Sequence, residues 1–127
     1  MKKQRIVIWR HGQTDWNVEN RFQGHTDIPL NATGRGQVAR AASILGTQDI
    51  DHIISSDLQR AHDTAAAVAS VKKLRVITDP RLRETHCGSW EGRTGPDIEA
   101  SDGENLARWF DGDDIPAGGD GERRSDV

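Results

Sequence analysis

Arg10, His11 and Arg60 are the side chains whose types and placement point to joint chemistry. Guanidinium forks match phosphate oxygens two at a time. An imidazole set among them can attack phosphorus as a nucleophile. No metal-site motif accompanies them: the sequence has no HExxH, no GxxxxGK[ST] loop and no EF-hand pattern. Phosphoryl chemistry at such a site leans on arginines, with no metal and no cofactor. Taken singly, each residue has a plainer reading. A histidine at a strand end is more often structural or solvated than catalytic, and an arginine early in a helix is usually solvated. Glu84 alone is a surface carboxylate, and His25, His52, His62 and His86 carry no signal of their own.

The elements that must position these residues follow from periodicity. Arg5-Ile6-Val7-Ile8-Trp9 is a largely β-branched run and predicts a strand buried on both faces, with Arg10-His11-Gly12 at its C-terminal end. From Gly12 to Leu30 no strong periodicity appears, and long connections in compact domains are usually functional or disordered. A helix is predicted over 33–45, with Val38, Ala41, Ala42 and Leu45 on one face, Asn31 or Thr33 capping its start and Gly46 at its end. His52 to Ser55 reads as a second strand. Ser56 or Asp57 would cap a helix over 58–70 that carries Arg60 one turn in. Leu74 to Thr78 is a third strand, stopped by Pro80. A weak helix covers 103–110, and Gly112 to Gly121 is loop-like. Alternating strands and helices imply an α/β fold with a mostly parallel sheet. Such sheets bind ligands at the C-terminal ends of their strands. Arg10, His11 and Arg60 then meet at one edge, beside a helix N-terminus that adds free N–H groups.

Composition bounds the alternatives. The chain has 127 residues, 17 Lys and Arg against 20 Asp and Glu, and a net charge of -3, which disfavours a nucleic-acid partner. Leu, Ile, Val and Phe total 25 of 127, so the core is lean. The single Cys87 can make neither an internal disulfide nor a zinc site by itself. No apolar run approaches the ~18 residues that span a membrane, and the expected location is the cytoplasm. Residues 1–96 hold 14 basic and 10 acidic side chains, whereas 97–127 hold 3 and 10. The first part can attract an anion. The last reads as a solvated or mobile segment with one apolar patch at Leu106, Trp109 and Phe110.

Five blocks in order resemble the histidine phosphatase superfamily, the phosphoglycerate mutase-like proteins. Arg10-His11-Gly12-Gln13-Thr14-Asp15-Trp16-Asn17 is similar to RHGxTxWN, and Arg21 to Gly24 with Asp27 to Leu30 resembles the substrate loop. Leu30 to Gln37 resembles LTxxGxxQ, Ser55 to Ala65 resembles SSDLxRAxxTA, and Leu82 to Gly92 resembles LxExxxGxWEG. The resemblance implies a three-layer α/β/α fold with a core over 5–93 and an acidic, cap-like segment over 94–127, together one domain. It implies a covalent, metal-independent phosphomonoesterase acting on a small phosphorylated sugar or glycerate derivative. His11 would take the phosphoryl group, Arg10 and Arg60 with Asn17 would hold its oxygens, and Glu84 would serve as acid and then base. Gln23 and Gly24 would touch substrate. Within the superfamily, Leu82 to Trp90 is most similar to actinobacterial phosphatases, including glucosyl-3-phosphoglycerate phosphatases. That makes His86 a candidate specificity residue.

The chain departs from the family pattern toward its C-terminal end. The family has a second pocket histidine on a strand near its C-terminus, between the strands that match 5–9 and 52–55. Here the last histidine is His86. Gly118 to Arg123 resembles the GGES segment, with Arg123 where Ser is usual and two extra residues inserted. Without that strand two edges lose their ladder partners. The expectation is an N-terminal piece of a longer protein, incomplete at the C-terminal side of the sheet and marginal alone or paired with another chain, a homodimer included. Weak or no turnover is expected, with phosphate still bound through Arg10 and Arg60. Mutase-type transfer and a non-catalytic phospholigand-binding remnant are the alternatives. Binding of an anionic polymer has only dispersed arginines in its favour.

Overall fold

A computed structural model describes residues 3–127. Its elements run α1 (Asp15–Val18), α2 (Ala32–Leu45), β1 (Ile53–Ser55), α3 (Gln59–Lys72), β2 (Val76–Thr78) and α4 (Gly95–Phe110), with 3₁₀ turns at Pro80–Leu82, Gly88–Trp90, Ala117–Gly119 and Arg124–Asp126. Strands β1 and β2 pair in parallel, Ile53 opposite Val76 and Ser55 opposite Thr78, and α3 is the crossover between them. The α/β class and the parallel pairing agree with the sequence.

Helix α2 forms where its apolar spacing places it. Asn31 caps it, accepting a hydrogen bond from the Gly34 N–H at 2.8 Å, and Gly46 ends it. Val38 and Ala42 are buried where α2 packs on α3, which in turn buries Arg60, Thr64, Ala65, Val68 and Ala69 along one face. Lys72 on α3 donates to the Gly46 and Gln48 carbonyls, placing a cation at the carbonyl end of α2. The start of α3 differs from expectation. Neither Ser56 nor Asp57 is its cap: the cap position is Leu58, which makes no side-chain hydrogen bond, and the helix begins at Gln59.

The expected strand over 5–9 is absent. Among the described residues no segment pairs with it, and Ile6 and Ile8 are 86% and 94% exposed. A β-branched run favours extended backbone but becomes a strand only when a neighbour takes its hydrogen bonds. Ile54 and Ile77, on the two strands that do pair, are also exposed.

A second core lies where a solvated segment was expected. Cys87, Trp90, Ile98, Leu106, Trp109 and Ala117 are buried together, with Phe22 and Ile115 against them. Trp90, 1% exposed, meets Trp109 edge-on at 6.1 Å between ring centroids. Its indole N–H donates to Asp102 at 3.1 Å, the one residue of α4 with non-helical backbone angles. The predicted apolar patch is thus split: Leu106 and Trp109 point inward and Phe110 outward. The Gly-rich stretch is also ordered by packing. Ser89 Oγ donates to the Gly118 carbonyl at 2.6 Å, and its N–H donates to Asp120 at 2.8 Å. Gly118 has φ +63°, and a Cβ there would collide with the Cys87 carbonyl oxygen. Among the described residues no helix is long and apolar enough to cross a membrane.

Truncating Trp90 removes the centre of this second core. Trp90→Ala should lower unfolding free energy by about 3–5 kcal/mol, read from the urea midpoint. An exposed control, Phe110→Ala, should shift it by less than about 0.5 kcal/mol.

Candidate active site

His11 is held without a strand beneath it. The Gly12 N–H donates to Thr64 Oγ1 at 3.1 Å, and that hydroxyl donates to the Arg60 carbonyl at 2.6 Å. A Cβ on Gly12 would lie 2.7 Å from both the Gly34 carbonyl oxygen and Val38 Cγ2, so only a glycine lets this turn lie against α2. The next residue, Gln13, donates its N–H to Gln37 at 3.0 Å. The His11 turn is therefore fastened to both helices.

The ring itself has a defined tautomer. His11 Nδ1 lies 2.6 Å from the Gly12 carbonyl oxygen, which can only accept, so Nδ1 carries the proton. Nε2 keeps its lone pair and has no hydrogen bond among the described residues. Burial lowers the His11 pKa below 6.5, and the Arg60 and Arg10 charges push in the same direction, against the Gly12 hydrogen bond and Glu84. The ring is thus neutral near pH 7, with a nucleophilic nitrogen among two cations and one carboxylate.

Arg60 is 3% exposed, and its guanidinium donates to the Gly24 carbonyl at 2.7 Å and the Thr26 carbonyl at 2.8 Å. Arg10 and Glu84 are both exposed. Glu84 follows Arg83, which forks onto Asp57 through hydrogen bonds of 2.7 and 2.5 Å. That pair fixes the Glu84 segment to the start of α3. A neighbouring cleft, lined by His25, Arg81, Arg83 and Glu122, does not include His11.

The other expected site residues are engaged differently. Asn17 closes a capping box on α1: its Oδ1 accepts from the Thr14 N–H at 2.9 Å, and its own N–H donates to Thr14 Oγ1. Gln23 Oε1 takes the same Thr14 hydroxyl at 2.7 Å. Gly24 has φ +53°, a left-handed turn. The His86 ring packs against His25 at 4.9 Å between centroids, tilted by 53°, and approaches Glu91 at 3.4 Å, with no hydrogen bond to His11, Arg10 or Arg60. The free helix N-terminus expected beside the site is already occupied. Asp27 accepts the Gln59 N–H at 2.7 Å, so a carboxylate from the loop sits where an anionic ligand was expected.

Three residues in the matched motifs do work that spacing did not reveal. Thr64 fastens the His11 turn, Asp27 caps α3, and Glu91 binds the loop through Thr26. Each acts on backbone far away in sequence, which leaves no periodic trace. Cys87 is not a rival nucleophile: burial pushes its thiol up to about 12, with Glu91 and Glu84 adding to the shift. Among the described residues no three or more His, Cys, Asp or Glu side chains cluster as a metal would require.

Residues 6–127 match the model of the histidine phosphatase superfamily (branch 1). Glucosyl-3-phosphoglycerate phosphatase of Mycobacterium tuberculosis is 46% identical over 128 residues, covering 100% of this chain and 56% of that protein. Phosphoglycerate mutase-like protein 4 of Arabidopsis thaliana is 49% identical over 89 residues, covering 68% and 39%. Among solved structures, mycobacterial glucosyl-3-phosphoglycerate phosphatase in complex with VO3 superposes with a TM-score of 0.82 at 45% identity, covering 91% and 57%. The chain spans about half the length of the curated relatives it matches.

The half-buried ring gives a titration of known sign. The His11 imidazole should titrate below 6.5 by NMR, and Arg60→Ala and Arg10→Ala should each raise that midpoint. A depressed histidine contributes stability above its unfolded pKa and loses it as pH falls through the folded value. The wild-type chain should therefore lose stability between about pH 6.5 and its own His11 midpoint, and His11→Ala should flatten that slope.

Proposed function

Because the chain belongs to the histidine phosphatase superfamily, we propose that it serves metal-independent hydrolysis of a phosphomonoester through a phosphohistidine at His11. The observation that carries this is the neutral His11 ring, its proton fixed on Nδ1 by Gly12 and its Nε2 free, under the influence of Arg60, Arg10 and Glu84. Nε2 attacks phosphorus, the N–P bond forms, and the ester P–O bond breaks. Glu84 protonates the departing alkoxide. Glu84 then takes a proton from water, whose oxygen attacks phosphorus and breaks the N–P bond, releasing inorganic phosphate and restoring Nε2. Arg10 and Arg60 offset the charge that gathers on the transferring oxygens. Asn17 and Gln23, tied to each other through Thr14, and Gly24 would line the approach, with His86 further out as a specificity residue.

The names of the mycobacterial relatives point to a small phosphorylated sugar or glycerate as substrate. A relative solved in complex with VO3 supports phosphoryl-transfer chemistry as the reading, since vanadate mimics the five-coordinate phosphorus of transfer. We read residues 5–93 as the part carrying the chemistry and 94–127 as a cap-like segment of the same domain. A second reading, phosphate binding without turnover, is favoured by the exposure of Arg10 and Glu84 to water.

Incubation with a phosphomonoester should leave an acid-labile, base-stable phosphoryl group on wild type and none on His11→Ala. Glu84→Gln should slow cleavage of an alkyl phosphate by about 10²-fold or more, and that of p-nitrophenyl phosphate far less, because p-nitrophenolate leaves without a proton. Equal labelling of His11→Ala and wild type would overturn the mechanism. Phosphate binding with no label in wild type would favour the second reading.

A further inference from the structure

The loop that Arg60 holds is gripped from its other side by a carboxylate with no role in the proposed chemistry. Glu91 Oε1 accepts the Thr26 N–H at 2.7 Å and the Thr26 hydroxyl at 2.6 Å. Its Oε2 accepts the Cys87 N–H at 3.1 Å and lies 3.4 Å from His86 Nε2. The side chain is 11% exposed. At Gly24 the loop backbone lies directly on this carboxylate: a Cβ there would sit 2.6 Å from Glu91 Cδ. Two residues of one short loop therefore serve two opposite charges. Thr26 gives its N–H and hydroxyl to Glu91, while the Gly24 and Thr26 carbonyls accept from Arg60.

From this arrangement we infer that Glu91 is a positioning residue: through the loop at 24–26 it sets the place of the Arg60 guanidinium, and through Cys87 it ties that loop to the turn that follows Glu84. The inference rests on the phosphohistidine reading of the site. Burial alone would raise the carboxyl pKa, but the donors from Thr26, Cys87 and His25 outweigh it and hold the group below its usual range, so it remains an acceptor at neutral pH. The ion pair is indirect. Arg60 and Glu91 meet across peptide groups, so moving one moves the backbone that satisfies the other.

The test turns on a sign. Removing a negative charge close to an anion site tightens anion binding by Coulomb attraction alone. Losing the position of a guanidinium weakens it. Inorganic phosphate is titrated into the whole 127-residue chain by calorimetry, alongside amide hydrogen exchange. Glu91→Ala should weaken phosphate binding about tenfold and speed exchange at Thr26 and Cys87 at least as much, with Val68 and Ala69 inside α3 unchanged. Glu91→Gln keeps one acceptor oxygen and should fall between the two. If Glu91→Ala does not fold, Glu91→Gln decides alone. Phosphate binding within twofold of wild type, tighter binding, or unchanged exchange at Thr26 in the folded variant would overturn the inference. A wild-type chain that binds no phosphate would overturn the site reading and this inference with it. Failure of the inference alone leaves wild type binding.

Discussion

A guanidinium almost completely withdrawn from water must be surrounded by oxygen, and the way Arg60 meets that demand organises the site. Stripping a cation of water is costly unless hydrogen bonds replace the solvent. Here the replacements are the Gly24 and Thr26 carbonyls. The loop cannot leave without stranding the charge, and the arginine cannot swing out without stranding two carbonyls. The same loop returns the favour to α3 through Asp27, which takes the Gln59 N–H one residue before Arg60. A helix start that lacks a cap of its own is thus capped by the segment its first-turn arginine holds.

The helices and the paired strands were legible because their signals are local. Val38 and Ala42 recur at helical spacing and are buried as that spacing requires. The run at 5–9 carried an equally local signal and is not a strand, because a strand needs a second segment to take its hydrogen bonds and its own residues cannot supply one. Arg10, His11 and Arg60 were gathered by the predicted strand ends and sharpened by the family resemblance, whereas Glu84 was singled out by the resemblance alone. What the resemblance could not convey is how they are supported. Thr64, Asp27 and Glu91 work through single hydrogen bonds to distant backbone, and no pattern of neighbouring residues announces such a bond.

Charge counting misled about the last thirty residues for a related reason. Their acidic excess describes the surface, and it coexists with Ile98, Leu106, Trp109 and Ala117 buried at wider spacing. A single α4 breaks at Asp102, whose carboxylate receives the Trp90 indole, so the irregular point in the helix is also a link between the two parts of the chain. Arg124 adds a cation over the Trp109 ring at 4.4 Å. The segment is ordered by a few large side chains, not by average hydrophobicity.

With no strand under His11, something else must place its turn. In an open parallel sheet the strand end is the usual answer. Here the answer is lateral. Gly12 lies against Gly34 and Val38 of α2, its N–H is held by Thr64 of α3, and Gln13 is held by Gln37. Thr64 Oγ1 also donates to the backbone carbonyl of Arg60 one turn earlier, so the hydroxyl that holds the histidine turn is anchored in the helix that carries the second charge. The turn that carries His11 is therefore tied directly to the helix that carries Arg60, and the sheet contributes only the scaffold from which α3 springs. On this account an alteration of Thr64 disturbs the spacing of His11 and Arg60 directly, whereas changes in the exposed run at 6–8 reach the site only through the chain that leads into it.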